Sequence, residues 1–315
     1  MDSIVIVAGP TAAGKTAVAM ALQDLLGGPR TARLISMDSA LVYRGMDIGT
    51  AKPTPTELRA YPHDLIDIVD PATAFSVADF VGAADAAVRA AWDAGQLPVL
   101  VGGTMLYAKR FIEGIAALPP ADAAVRAELD AAWERDGPHA LHEQLRASDP
   151  DAAAAIHPHN RQRLLRALEV VRLSGQALSQ LWQTQQGEHA QARLGAGRID
   201  LFGLMPDDRT RLHALIETRF ATMLAAGFVA EVEALRERGD LHLDIPAMRA
   251  VGYRQIWLHL DGELSLAQAQ ADALTATRRL AKRQITWMRG FLDMEPLAWG
   301  SPEKVAQQIL QSVSL

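Results

Sequence analysis

The chain contains no cysteine, which excludes disulfides, thiolate metal sites and cysteine nucleophiles, and suits a reducing compartment. Aromatic residues are sparse, at 5% of 315 positions. No apolar run approaches the roughly 18 residues of a membrane span, so no membrane partner is expected. Met1-Asp2-Ser3 leads straight into an apolar stretch, without the basic-then-apolar pattern of a secretion signal. These absences read as a cytoplasmic protein. Net positive charge is missing too: Lys plus Arg number 31 against 37 Asp plus Glu, a formal charge of -6. Proteins that bind bulk nucleic acid are usually basic overall, so any such contact here must rest on local patches.

What is present starts at once. Ser3-Ile4-Val5-Ile6-Val7-Ala8 is a short apolar run of β type, and Thr16 to Leu26 places Val18, Leu22, Leu25 and Leu26 at helical spacing. Between them lies Gly9-Pro10-Thr11-Ala12-Ala13-Gly14-Lys15-Thr16, which fits G-x-x-x-x-G-K-[ST] in the strand–loop–helix context the motif requires. The two glycines let successive N–H groups turn inward. Those donors and the helix N-terminus hold an anion, Lys15 adds a point charge, and the Thr16 hydroxyl can bind Mg²⁺. The motif specifies a phosphate or diphosphate without saying which molecule carries it. A glycine turn followed by a surface lysine is the bland alternative.

The first third alternates strands and helices. Arg33–Met37 reads as a second strand ending at Asp38, Asp64–Asp70 as a strand or extended segment, and Leu97–Val101 as a buried strand ending in Gly102-Gly103-Thr104. Ser76 and Asp79 cap a helix reaching about Ala94. This alternation predicts an α/β fold, a parallel sheet of P-loop NTPase type with ligands at the carboxyl ends of the strands. The loop, Asp38 and Thr104 should therefore converge on one crevice. From Leu118-Pro119-Pro120 the texture turns helical: Ala121–Arg135, Pro138–Arg146, then Asn160–Leu173 with Gly175 as its stop, and a polar return from Gln183 to Gly197. We divide the chain into a core of residues 1–117 plus 197–315 and a helical insertion, 118–196. Ile199–Leu204 re-enters as a strand, followed by helices over Asp208–Ala226, Val229–Arg238, Tyr253–Leu260, a long one from Ser265, and Pro302–Ser312.

Two basic patches stand out. Arg161, Arg163, Arg166 and Arg172 share one predicted helix, with Glu169 as its only acid. Arg278, Arg279, Lys282, Arg283 and Arg289 share another with Trp287 among them and no acid in between. Cations with an interleaved aromatic suit RNA phosphates and base stacking. A solvated helix face explains the composition equally simply. His157-Pro158-His159 reads as a loop rather than a metal site.

Longer motifs carry a resemblance. Asp38-Ser39-Ala40-Leu41-Val42-Tyr43-Arg44-Gly45-Met46-Asp47-Ile48-Gly49-Thr50-Ala51-Lys52-Pro53 closely resembles the signature of tRNA dimethylallyltransferases. So do Gly102–Tyr107, Leu118–Pro120, Asn160–Arg163 and Lys282–Trp287. Ala250, where the family often has cysteine, and Phe75, where it often has tyrosine, are mild departures.

The resemblance implies transfer of a dimethylallyl group from dimethylallyl diphosphate to N6 of adenine 37, beside the tRNA anticodon, with Mg²⁺ as cofactor and diphosphate released. It implies that Gly9 to Thr16 hold the diphosphate together with Arg219, that Lys15, Asp38, Thr104 and Arg219 act at the reacting groups, and that Thr16 holds the metal. It also implies that the anticodon stem-loop is bound by Asp38, Ser39, Ala40, Leu41, Thr104, Arg126, Gln162, Arg163, Leu164, Leu165, Arg166, Met248, Arg249, Gly252, Tyr253, Lys282, Arg283, Gln284, Trp287 and Arg289. A monomer is expected. Two other classes share parts of the pattern. A P-loop small-molecule or nucleoside kinase shares the loop and the strand-2 aspartate. A nucleotide-switched RNA-binding module would use Asp67 and Asp70 toward its metal.

Overall fold

The computed structural model describes residues 2–115, 118–184, 188–291 and 293–313. It divides into two compact units, Met1–Ile112 with Ala190–Leu315, and Glu113–His189.

In the first unit, β1 (Ser3–Ala8) is followed by α1 (Lys15–Leu25), β2 (Ala32–Ser36), α2 (Pro55–Ala60), β3 (His63–Asp64), α3 (Val77–Asp93), β4 (Leu97–Gly102) and α4 (Met105–Glu113). In the second unit come α5 (Ala123–Ser148), α6 (Pro150–Ala155), α7 (Arg161–Ser174) and α8 (Leu178–Thr184). The first unit resumes with α9 (Ala190–Leu194), β5 (Arg198–Met205), α10 (Arg209–Ala225), α11 (Phe228–Glu237), a 3-10 turn (Ala247–Arg249), α12 (Tyr253–Leu260), α13 (Leu266–Met288), β6 (Met294–Ala298) and α14 (Pro302–Ser312).

The strands form one parallel sheet in the order β3-β2-β4-β1-β5-β6, with Val5 opposite both Val99 and Asp200. The apolar runs of β1, β2 and β4 have this unalternating composition because helices cover both faces. On one face α1 and α14 pack Val18, Leu22, Val305 and Ile309 against Val5, Val7, Leu34 and Val99. α3 packs against β2 and β4, where Phe80 stacks on Tyr107 with ring centroids 4.1 Å apart. A further core joins Val42, Tyr43 and Met46 to helices α10–α13. The Asp38–Pro53 signature is thus anchored by helices far along the chain.

Several expectations need correction. Asp64–Asp70 is not a strand: Leu65 and Asp67 take positive φ values of 64° and 56°, which end β3 after two residues and leave one bridge, Tyr43 to Val69. The two helices expected over Ala121–Arg135 and Pro138–Arg146 are both present: α5 consists of two helices that meet at a kink, where Gly137 leaves helical geometry ahead of Pro138. The Gln183–Gly197 return contains α9, and its residues 185–187 lie outside the described ones. β6 went unpredicted because Glu295 and Pro296 dilute its pattern. Proline is tolerated there because β6 is an edge strand. Capping behaved as read: Ser76 and Asp79 form a reciprocal box, as do Ser265 and Gln268.

In the second unit, Leu129, Leu141, Leu145, Leu164, Leu168 and Val170 form the core. Its buried acid Glu169 accepts from the Asp122 N–H at 2.9 Å, from Arg126 Nε at 3.1 Å and from Arg166 at 2.7 Å. Burial pushes the Glu169 carboxyl up, but the Arg166 and Asp122 hydrogen bonds and the Arg126 charge outweigh it and hold the group below its ordinary value.

Candidate active site

The carboxyl ends of β1, β2 and β4 open onto a cavity of about 180 Å³ in the first unit. Its lining includes Thr11, Lys15 and Thr16 of the glycine loop, Ser36 at the end of β2 and Asp38 just beyond it, Arg219 from α10, and Gln284 from α13. Leu41, Ile216, Phe220, Met223, Val251 and Leu280 supply an apolar side. A polar end and an apolar end in one small space suit a ligand with an anionic head and a short hydrocarbon tail.

The loop has the geometry its sequence predicts. Gly14 precedes α1 in the left-handed region, at φ 83°, and no side chain caps the helix. The opening N–H groups of α1 therefore stay available to an anion. Lys15 Nζ donates to the Pro10 carbonyl at 2.8 Å. Burial is the main force on Lys15; opposed by the Asp38 charge and aided by that of Arg219, it leaves the pKa lowered to about 8. Burial likewise lowers the pKa of Arg219, again opposed by Asp38. Two desolvated cations thus share one carboxylate. The excess positive charge is what an incoming anion neutralises.

Asp38 Oδ1 accepts from the Ala40 N–H at 2.9 Å, which fixes the turn after β2. Thr104 clasps the same turn: its Oγ1 accepts from the Ser39 N–H at 3.0 Å and donates to Ser39 Oγ at 3.3 Å. Arg219 donates to the Thr50 carbonyl at 3.0 Å. Lys15, Asp38 and Arg219, called from sequence as one centre, line one cavity, and Thr104 braces its rim.

The residues expected to contact tRNA divide into two groups. Ser39, Gln162, Arg163, Arg249, Lys282, Arg283, Trp287 and Arg289 are exposed, Trp287 at 40%. Leu164 and Met248 are 0% exposed, so neither side chain is offered for contact; both belong to hydrophobic cores. Tyr253 is likewise enclosed, and its hydroxyl donates to Glu231 at 2.6 Å. Leu165 is half-buried against the core of the second unit. Gly252 is packed against the Phe228 ring. Arg126 and Arg166 are both tied to Glu169, and Arg166 also donates to the Pro119 carbonyl at 2.6 Å. Arg278, part of the second patch, pairs with Glu217.

Gln284 differs most from its reading as an RNA contact. Its Oε1 accepts from the Thr11 N–H at 2.9 Å, and its Nε2 donates to the Gly103 carbonyl at 2.8 Å. A Cβ on Gly103 would lie 2.6 Å from that Nε2, so the glycine permits the close approach. Sequence reasoning also passed over Glu231 and Ser36. No local pattern marks either one.

The donor set fits Mg²⁺. Thr16 and Asp38 face the cavity with Ser36, a buried residue whose Oγ has no hydrogen-bond partner among the described residues. All three offer oxygen, the donor a hard cation prefers. Among the described residues no three carboxylate or imidazole groups converge for a metal, so further ligands would fall to substrate oxygens and water. Asp67 and Asp70 do not join the site: Asp67 pairs with Lys52, and Asp70 with Arg238 at 2.8 Å.

The family model described as IPP transferase matches residues 41–291, most of the chain. The chain belongs to this family. A tRNA dimethylallyltransferase of Chromohalobacter salexigens is 55% identical over 283 residues, covering 90% of this chain and 88% of the relative. Another, of Verminephrobacter eiseniae, is 50% identical over 318 residues, covering 96% and 93%. The full-length tRNA isopentenylpyrophosphate transferase of Bacillus halodurans matches in structure with a TM-score of 0.69 at 35% identity, over 99% of this chain and 96% of that one. A eukaryotic dimethylallyltransferase acting on tRNA matches at 0.79 and 21% identity, over 100% of this chain and 79% of that one, a likeness of fold. Membership of the IPP transferase family, rather than of a kinase family, sets the kinase and RNA-switch readings aside.

Proposed function

We propose that this protein transfers the dimethylallyl group of dimethylallyl diphosphate to N6 of adenine 37 in tRNA and releases diphosphate. One observation carries the site reading: Lys15, Arg219 and Asp38 line the same cavity as the uncapped glycine loop. The N6 lone pair is delocalised into the purine ring and attacks weakly. Reaction forms the bond from N6 to the allylic carbon and breaks the bond from that carbon to the diphosphate oxygen, whose electron pair leaves with the diphosphate. Lys15, Arg219 and the uncapped N–H groups that open α1 are preorganised to take that developing charge. Mg²⁺, when bound through Thr16 with Asp38 and Ser36 at hand, adds electrostatic stabilisation of the same oxygens. Asp38 orients the amine and accepts its proton. The apolar side of the cavity holds the five-carbon tail.

The adenine has to leave its stack to reach this cavity. Exposed Lys282, Arg283, Trp287 and Arg289 on α13 and its end suit the anticodon stem-loop backbone and a stacked base. Exposed Gln162 and Arg163 extend the RNA-binding role to the helical insertion. Because the cavity is lined by this one chain, a monomer suffices. No helix among the described residues is long and apolar enough to cross a membrane; action in the cytoplasm is part of the same proposal.

Purified protein with Mg²⁺, unmodified tRNA and dimethylallyl diphosphate should yield N6-dimethylallyl adenosine on nucleoside mass analysis. No prenylated product, or a phosphorylated product formed from ATP instead, overturns the reading. Asp38→Asn keeps the side chain's shape and loses its basicity. It should slow single turnover by about a hundredfold while the melting temperature holds.

A further inference from the structure

The clearest polar cluster not yet given a role lies behind Arg219. Glu231, half-buried on α11, gathers four donors. Its Oε2 accepts from the Asp47 N–H at 2.9 Å and the Ile48 N–H at 2.6 Å. Its Oε1 accepts from the Gly49 N–H at 3.0 Å and the Tyr253 hydroxyl at 2.6 Å. Three consecutive backbone donors on one carboxylate form an anion cradle, here filled by a side chain from 182 residues away.

The segment so held is tightly packed. A Cβ on Gly49 would stand 2.0 Å from the Phe228 ring and 2.6 Å from the Tyr253 ring. Phe228 meets Tyr253 edge-on, with centroids 5.0 Å apart. The next residue, Thr50, offers its carbonyl to Arg219 at 3.0 Å. The far side is pinned by Lys52, whose Nζ donates to the Tyr43 carbonyl at 2.9 Å and to Asp47 at 2.5 Å. A chain of short contacts therefore runs from Glu231 through Asp47–Thr50 to Arg219.

We propose that Glu231 is a positioning residue for the anion site: by fixing the Asp47–Gly49 backbone it sets the Thr50 carbonyl, and through it the Arg219 guanidinium. Arg219 has a long flexible side chain, and one backbone hydrogen bond aims it at the ligand. Displacing that carbonyl costs Arg219 its orientation without altering its charge. Tyr253 supports the carboxylate at Oε1, the oxygen that also holds the Gly49 N–H. This role rests on the diphosphate reading of the cavity, and the test separates the two.

Glu231→Gln is isosteric, but an NH₂ at Oε2 faces the Asp47 and Ile48 N–H groups and one at Oε1 faces the Gly49 N–H, although the Tyr253 hydroxyl can turn to accept, so at least one backbone donor loses its acceptor. Inorganic diphosphate with Mg²⁺ is titrated calorimetrically into the native protein, Glu231→Gln, Arg219→Ala and the double variant. We expect Glu231→Gln to weaken binding about tenfold, and the double variant to bind no more weakly than Arg219→Ala alone, because two residues acting through one contact are not additive. The KM for the isoprenoid diphosphate rises and the tRNA Kd holds. A merely structural Glu231 lowers the melting temperature and leaves the diphosphate affinity of folded protein unchanged, which overturns the proposal. So does a double variant that loses the product of both single effects. Native protein that fails to bind diphosphate overturns the reading of the cavity itself. If Glu231→Gln does not fold, Tyr253→Phe removes one of the donors and carries the same test: the expected loss is about threefold with the same non-additivity, and unchanged binding overturns the proposal.

Discussion

Gln284 and Thr11 stand 273 residues apart in the chain and are joined by one hydrogen bond, from the Thr11 N–H to Gln284 Oε1, at 2.9 Å. The other end of the same amide donates to the Gly103 carbonyl. A residue of the basic helix α13 thereby ties the glycine loop to the end of β4. It supports the glycine loop, although it sits in the Lys282–Trp287 motif.

Gln284→Ala removes both bonds. At about 0.5 to 1.5 kcal/mol for each net hydrogen bond, kcat/KM for the isoprenoid diphosphate should fall about tenfold. The tRNA Kd should hold. Steady-state kinetics with each substrate varied in turn, together with a tRNA binding titration, check this. A weakened tRNA Kd with unaltered isoprenoid kinetics would return Gln284 to RNA contact.

Lys15 carries a pH signature. Burial lowers its pKa to about 8 in the ligand-free protein, and a bound anion favours the charged form and raises it again. The sign follows. Below pH 7 Lys15 is already protonated, and diphosphate binding takes up no proton at this residue. At pH 9 it is mostly neutral, so binding takes up a proton and affinity falls as pH rises past 8. Calorimetry in two buffers of different ionisation enthalpy measures the uptake directly. Lys15→Ala should abolish it and cost about 2 to 4 kcal/mol of activation free energy with tRNA binding intact. Uptake at pH 9 that persists in Lys15→Ala would place the titrating group elsewhere.

The exposed cations Lys282 and Arg283 predict a salt effect. Each alanine substitution should weaken tRNA binding and make the slope of log K against log salt shallower by roughly 0.7 to 0.9 per lost phosphate contact. Diphosphate affinity stays the same. A filter-binding titration across salt in the double variant decides: an unaltered slope means the helix face is only solvated.

Much of this was legible along the chain because it is local. Strands β1, β2 and β4 announced themselves as unbroken apolar runs, and helix starts by their capping pairs. The glycine loop is written in eight consecutive residues, since its donors are its own backbone. Failures came where a segment's fate hung on its partners. Asp64–Asp70 has strand composition, yet two positive φ values turn it away from the sheet.

The sequence by itself determined the parallel α/β core, the glycine loop ahead of α1, the place of Asp38 at a strand end and, through its motifs, the family. Only the tertiary structure decided which side chains serve that loop from afar. Gln284 reaches Thr11 and Gly103, Glu231 reaches Asp47 to Gly49, and Arg219 reaches Thr50. It also decided that Leu164, Met248 and Tyr253, which the resemblance placed among the tRNA contacts, are core. The physical reason is one of partners. A backbone loop or a capped helix finds its hydrogen-bond partners within a few residues, so its pattern is written locally. A glutamine or glutamate that binds a distant backbone looks like any other polar residue on a helix until the packing of α11 and α13 brings that backbone within 3 Å.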